Sequence, residues 1–221
     1  MRRQSGATQR KIEPIGRPAR PSDRIERTRV DKFSARRIEL AEAALETLAE
    51  LGYARTSLRE IAQNSEFSHG VLHYYFSDKV DLICCGVRYY KAKCVTRYDG
   101  VVATATSRKS LLDGFCAKLE ETLTQEAKMH RLWYDLRSQA FYEEAFRPDI
   151  DAIDKSLENM VWRIASRYAE LAGKQIAMSR VALYALFDGL FQRHLLLFLA
   201  GDEQAASRLT AEIRVLLPKI A

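Results

Sequence analysis

Residues 56–83 read TSLREIAQNSEFSHGVLHYYFSDKVDLI, and the reading of this stretch decides the fold. Ser57 stands before the apolar pair Leu58 and Ile61, with Glu60 three positions on. That is the spacing of a capping box, in which the serine hydroxyl and the glutamate carboxylate each accept a backbone N–H. It predicts a short helix over about 58–64. Ser68 repeats the signal, with Phe67 placed to staple against Leu72, and predicts a second short helix over about 69–76. Two short helices joined by residues 65–67 have the proportions of a helix-turn-helix.

Upstream, Ile38, Ala41, Leu45 and Leu48 recur at steps of three and four, opposite Arg37, Glu39, Glu42 and Glu46. This is an amphipathic helix starting at Ser34, with Gly52 as its expected C-cap. Ala62 is expected at the tightest helix crossing, and Gly70 where the third helix comes close to DNA. Downstream of Ser77 no proline occurs before Pro148, and no stretch sustains a period-two alternation. The remainder reads as helices over about 78–103, 110–128, 130–144, 149–171, 178–199 and 202–217. The predicted fold is all-α: a three-helix DNA-binding domain over 31–80, then a helical effector-binding and dimerisation domain over 81–221.

The chain has 221 residues, 47% of them hydrophobic, and a net charge of +6. Residues 1–30 hold nine Arg and Lys against three acids, while the other 191 residues are balanced, so the surplus sits at the start. With Pro14, Pro18 and Pro21 and few large apolar residues, that segment is expected to be a disordered basic tail. It would serve either as an arm along phosphates or in the minor groove, or as a solubilising extension. Residues 32–79 hold six basic and seven acidic side chains, which places little positive charge on the reading head itself.

The quoted stretch resembles the TetR family of bacterial repressors, through Thr56, Ile61, Ala62, Ser68, Gly70, Leu72, Tyr74, Phe76 and Lys79 in register. The likeness runs from Arg36 to Leu82. It departs at Glu66 for the usual turn glycine, Phe67 for a smaller aliphatic residue, His73 for a tyrosine and Tyr75 for a histidine. The resemblance implies a homodimer on a near-palindromic operator of double-stranded DNA, with a small-molecule effector held among the C-terminal helices. The expected DNA contacts are Arg36, Thr56, Ser57, Ser68, His69, Gly70, His73, Tyr74, Tyr75 and Lys79. Ser57 and Ser68 offer hydroxyls and N–H groups at helix starts, which suit phosphate. Lys79 sits in a first helical turn, where its charge opposes the dipole, so an outside anion is its expected partner. His69 and His73 share one face at a metal-ligand spacing, but with no acid beside them they read as base or phosphate contacts. With Leu72 and Phe76 inward, one of Tyr74 and Tyr75 is left to offer its hydroxyl to phosphate.

The C-terminal half carries a heavy aromatic load threaded with polar residues. Trp133, Arg137, Phe141, Trp162, Tyr184, Phe187, Asp188 and Phe191 are the expected effector pocket, with Asp135, Gln139 and His194 as further polar candidates. The segments RLWYDLRSQAF and ALFDGLF resemble the choline- and betaine-responsive subgroup of the family, and aromatic boxes suit quaternary ammonium ligands. Residues 181–199 are apolar on nearly all sides. With the stripe Ala205, Leu209, Ile213 and Leu216, they are expected to form a four-helix dimer interface. Asp188, Arg193 and His194 interrupt the same run, so no membrane span is expected. The charged N-terminus lacks a secretory leader, which points to the cytoplasm. Cys84, Cys85, Cys94 and Cys116 show no paired-cysteine spacing and read as reduced, buried thiols. With no phosphate loop and no HExxH or GxSxG motif, no enzymatic activity, cofactor or metal is expected. The rival reading is a helical small-molecule- or protein-binding module with a vestigial DNA-binding head, which the neutral charge of the head favours.

Overall fold

The computed structural model describes residues 21–220, with side chains from residue 30. The part of the expected basic tail before residue 21 lies outside the described residues. Ten α-helices and one 3-10 turn make up the described chain: α1 Pro21–Leu51, α2 Leu58–Gln63, α3 His69–Tyr75, α4 Lys79–Thr96, α5 Asp99–Thr104, α6 Arg108–Gln125, α7 Ala127–Gln139, the turn Glu144–Phe146, α8 Arg147–Ala172, α9 Arg180–Leu199 and α10 Ala205–Ile220. The chain divides into two compact units, Met1–Ala35 and Arg36–Ala221.

Helix α1 begins at Pro21 rather than Ser34, so residues 21–30, expected to be disordered, have helical backbone. Pro21 takes the first position, where a missing N–H costs nothing, and no glycine or proline follows before Gly52. Gly52 ends the helix at φ 80°, a left-handed conformation that glycine adopts without a Cβ penalty. The capping box forms as the spacing predicts: Ser57 Oγ accepts from Glu60 N at 3.2 Å, and the Glu60 carboxylate accepts from Ser57 N at 2.7 Å. Ser68 caps α3 by accepting from Val71 N at 3.3 Å.

One core joins the head to the helices behind it. Leu40, Leu48, Ile61, Leu72 and Phe76 pack in the same cluster as Leu82, Ile83, Trp133, Leu136 and Phe146, all essentially inaccessible to solvent. Each such side chain contributes about 1.5–3 kcal/mol when it leaves water, so the reading head is anchored to α4 and α7 by apolar contact. Ala62 is half-buried, and a tight crossing lies at Gly86. A Cβ on Gly86 would stand 2.8 Å from Leu45 Cγ and 3.0 Å from Ala41 O, so glycine is what lets α4 cross α1 there.

The helix expected over 78–103 is broken into α4 and α5 at Arg97 and Tyr98. The break lets Tyr98, 4% exposed, turn into the second core beside Phe115. That core is built by α5, α6, α8, α9 and α10 and includes Leu111, Leu123, Ile164, Leu183, Leu209 and Ile213. The α10 stripe expected at a subunit interface therefore faces inward. Ala205, Leu209 and Ile213 are buried within the chain, and Leu216 is packed against the same core. Helix α9 does keep an outward apolar face, with Val181 and Leu196 each 66% exposed. By length and composition α9 could cross a membrane, but it carries Asp188 in an ion pair with Arg137 and a buried His194.

Candidate nucleic-acid interface and ligand cavity

The outer face of α3 carries His69, Gly70, His73 and Tyr74, all exposed, while Leu72 is buried beneath them. The two histidine rings meet edge to face, with Nε2 atoms 3.1 Å apart. Tyr74 is 71% exposed and its ring stands edge-on to half-buried Tyr75 at 5.0 Å. A Cβ on Gly70 would meet nothing within 4 Å, so its lack of a side chain is not imposed by packing within the chain. These residues form one patch, as the sequence led us to expect.

Other expected contacts are engaged inside the protein. Thr56 is 4% exposed and its hydroxyl donates to Gly52 O at 2.7 Å, locking the loop before α2. The hydroxyl lone pair and the N–H of Ser57 are both used by the capping box. Arg36 pairs with Glu39 at 2.6 Å and lies over the Phe67 ring. Lys79 is not left to an outside anion. Its ammonium donates to Tyr53 O at 3.0 Å and lies 3.8 Å from the centre of the Tyr53 ring, and burial lowers its pKa. Sequence reasoning passed over Arg55 and Arg59, which are exposed and have no ion pair among the described residues. The signal was available: neither has a carboxylate three or four positions away.

Some of the charges of the head are paired with residues behind it. Glu42 pairs with Lys93 at 2.6 Å, Glu50 with Lys128 at 2.8 Å, and Arg37 with Asp81. Such surface pairs add little stability, but those of Glu42 and Glu50 offset two of the acids counted in the head.

Behind the head, α4, α6, α7, α8 and α9 enclose a cavity of about 80 Å³. Trp133, Tyr184, Phe187, Asp188 and Phe191 line it, as expected, together with Lys91, Tyr98, Phe115, Thr122 and His130, which were not anticipated. Phe141 does not: it is 80% exposed at the end of α7. Trp162 is half-buried under Arg180, whose guanidinium lies 4.9 Å from the ring centre, and does not reach the cavity either. Arg137 acts from behind the wall, holding Asp188 at 2.6 Å and Asp154 at 3.4 Å. Of the further polar candidates, His194 is buried with Nδ1 2.8 Å from Leu190 O, and Gln139 donates to Asp135.

Asp135 has a different use. Its carboxylate accepts the Tyr53 N–H at 2.9 Å, on the side of α7 facing away from the cavity. Tyr53 is thus held at both backbone groups, its N–H by Asp135 on α7 and its C=O by Lys79 on α4. Its ring stands 5.3 Å edge-on to Phe146.

Donor atoms of Cys94, Glu126 and His130 lie within 4.8 Å of one another, a spacing that could hold a metal ion. The surroundings oppose a cation. Arg97 and the Tyr90 hydroxyl both donate to the Glu126 carboxylate, and Lys91 Nζ is 3.5 Å from His130 Nδ1. Burial, reinforced by the charges of Lys91 and Arg97, holds the imidazole well below its usual pKa and so neutral.

An all-helical chain with a capped helix-turn-helix on a shared core defines a DNA-binding transcription regulator. Residues 40–83 match the family described as bacterial regulatory proteins, tetR family. Residues 40–83 thus carry the sequence of a TetR-type DNA-binding head, and along most of its length the chain is similar to TetR-family transcriptional regulators. It is 28% identical over 182 residues to the HTH-type transcriptional regulator BetI of Burkholderia thailandensis, covering 79% of this chain and 89% of that one. It is 25% identical over 158 residues to the regulator PksA of Bacillus subtilis, covering 70% and 76%. Among solved structures its fold is similar to a TetR regulator from Haloarcula marismortui, at TM-score 0.68 and 18% identity, covering 86% and 98%. It is also similar to FadR of Bacillus subtilis in complex with stearoyl-CoA, at TM-score 0.64 and 18% identity, covering 80% and 95%.

Proposed function

We propose that the chain is a cytoplasmic, ligand-responsive repressor that binds a palindromic operator as a homodimer and releases it when a small effector enters the cavity. Helix α7 carries the proposal. One face lines the cavity with His130, Trp133 and Tyr134. The other grips the head: Arg131 donates to the carbonyls of Ala49 and Glu50, Lys128 pairs with Glu50, and Asp135 holds Tyr53. Helix α4 repeats the arrangement, with Lys91, Cys94 and Arg97 at the cavity and Lys79 on the carbonyl of Tyr53.

A ligand that spreads α4 and α7 pulls on both backbone groups of Tyr53, and so on the loop that leads into α2. The response requires the ligand to bind the displaced arrangement more tightly than the resting one, since equal affinity would shift nothing. That FadR of Bacillus subtilis is found with stearoyl-CoA supports a ligand response in this fold. On the DNA side, His69, His73 and Tyr74 would read or brace the major groove around Gly70, Ser68 and Tyr75 would flank them, and Arg55 and Arg59 would take phosphates. The rival reading, a module with a vestigial head, drew on the near-neutral charge there. The pairing of Glu42 with Lys93 and of Glu50 with Lys128 weakens that support.

Gel shifts of the full chain on its own upstream DNA test the reading. The wild type is expected to retard a palindromic fragment at low salt. His69→Ala is expected to narrow the gap between specific and mismatched sequences, leaving the melting temperature unchanged because the ring is exposed. Failure to retard any upstream palindrome at low salt would overturn the proposal.

A further inference from the structure

We propose that the cavity takes a small ligand bearing a carboxylate, with the ammonium of Lys91 as its anchor and an apolar body lying against Phe115, Phe187 and Phe191. The inference rests on the reading of the cavity as an effector site and goes beyond it by naming the ligand's chemistry.

The case rests on which groups around the cavity still lack partners. Lys91 is 3% exposed, and among the described residues its ammonium has no carboxylate within ion-pair distance. Its hydrogen-bond neighbour is His130 Nδ1, at 3.5 Å; the ring centres of Trp133 and Tyr90 lie 4.6 and 5.7 Å away, and the carboxylates of Asp188 and Asp154 act on it only from beyond ion-pair distance. An ammonium has three N–H donors and no acceptor, so two of them are left over. If His130 Nδ1 accepts from Lys91, the ring proton is on Nε2. That atom is buried without a hydrogen-bond partner, and so is the indole nitrogen of Trp133. Lys91, His130 and Trp133 all line the same cavity, and each has donor capacity to spare.

The acceptors nearby are already committed. Asp188 receives Arg137 at 2.6 Å and the Tyr134 hydroxyl at 3.0 Å, Glu126 receives Arg97 and Tyr90, and Asp154 receives the Tyr184 hydroxyl at 2.6 Å. Spare donors around a fixed cation call for a compact, acceptor-rich anion. A carboxylate supplies two oxygens and the missing charge, and burial strengthens the pair because it is shielded from water. A quaternary ammonium would meet Lys91 head-on, so the aromatic walls here do not make a cation box. The resting volume, about 80 Å³, suits a single ring or a short chain, and a larger ligand has to spread the helices to enter. Drug-sized ligands occupy pockets of roughly 300–1,000 Å³.

Titration calorimetry on the full chain with three probes of one shape, benzoate, benzamide and benzylamine, tests the proposal. Benzoate is expected to bind at least tenfold more tightly than either of the others. Lys91→Met is expected to abolish that preference, and Trp133→Phe, which keeps the ring face but loses the N–H, to weaken benzoate several-fold. The wild-type comparison stands even if a variant fails to fold. Equal or tighter binding of benzamide or benzylamine, no binding of benzoate, or a folded Lys91→Met that binds benzoate as well as the wild type would each overturn it. A parallel gel shift separates the two readings. If benzoate binds with the expected selectivity but leaves the operator complex intact, the carboxylate site stands and the ligand-responsive reading falls.

Discussion

Lys91 shows how much one position can reveal. In the string RYYKAKCVTRY it resembles any helical surface lysine, yet it continues a stripe of Cys84, Val87, Cys94 and Tyr98 at steps of three and four. All five are buried, so the spacing held the signal that the residue type concealed. Burial lowers its pKa to about 8, with the negative charge of Asp188 opposing the shift only in part. In the unfolded chain a lysine titrates near 10.4. Below pH 8 both states hold the proton and the folded state bears the full cost of burying the charge. Between about 8 and 10.4 only the unfolded state holds it, so this group's contribution to stability improves as pH rises. Lys91→Met should therefore stabilise the ligand-free protein at pH 7 by up to about 3 kcal/mol, and the advantage should shrink steadily towards pH 10. Denaturant unfolding of both proteins at pH 7, 8.5 and 9.5 measures this, and a difference that stays constant or grows with pH would refute the assignment.

Among the elements, those legible in the sequence are those fixed locally. Ser57 with Glu60, Ser68 with Val71, and Gly52 at the end of α1 act within one turn of chain, and each forms where its spacing predicts. The bend at Arg97 and Tyr98 was not legible, because its cause lies far off in sequence: Tyr98 turns in to meet Phe115, and Arg97 reaches Glu126. The close approach at Gly86 was not legible for the same reason, since only the packed structure brings it against Leu45. Asp135 and Lys79 likewise looked like an effector ligand and a phosphate contact, until Tyr53 appeared between them. The capping box invites a direct test. Ser57→Ala removes the acceptor for Glu60 N at an exposed site and should cost about 1 kcal/mol. Helix α2 has only six residues, so the loss should fall on the head as a whole, seen as faster amide exchange across α2 and α3. Unchanged exchange there would mean that apolar packing alone holds the helix.

For the whole molecule, the proposed homodimer has to hold two reading heads at a fixed spacing. The sequence assigned that task to α9 and α10 together, but the α10 stripe serves the chain's own core. What remains outward on α9 is Ala182, Ala185, Gly189, Gln192, Leu196 and Leu199, at steps of three and four along one side. Small residues at the centre allow a second helix to come close, and a Cβ on Gly189 would meet nothing within 4 Å in the single chain. An apolar helix face of this kind is what an isologous twofold contact needs, because each residue then meets the same surface on the partner. Leu196, at 66% exposure, makes no contribution to the chain's own core. Leu196→Glu should therefore leave the melting of the isolated chain close to unchanged while placing like charges near each other across the twofold axis. Light scattering should then report a monomer where the wild type is a dimer. Affinity for a palindromic operator should drop at least tenfold, while affinity for a single half-site is retained. A variant that stays dimeric, or that loses half-site binding in step with the palindrome, would move the interface away from α9.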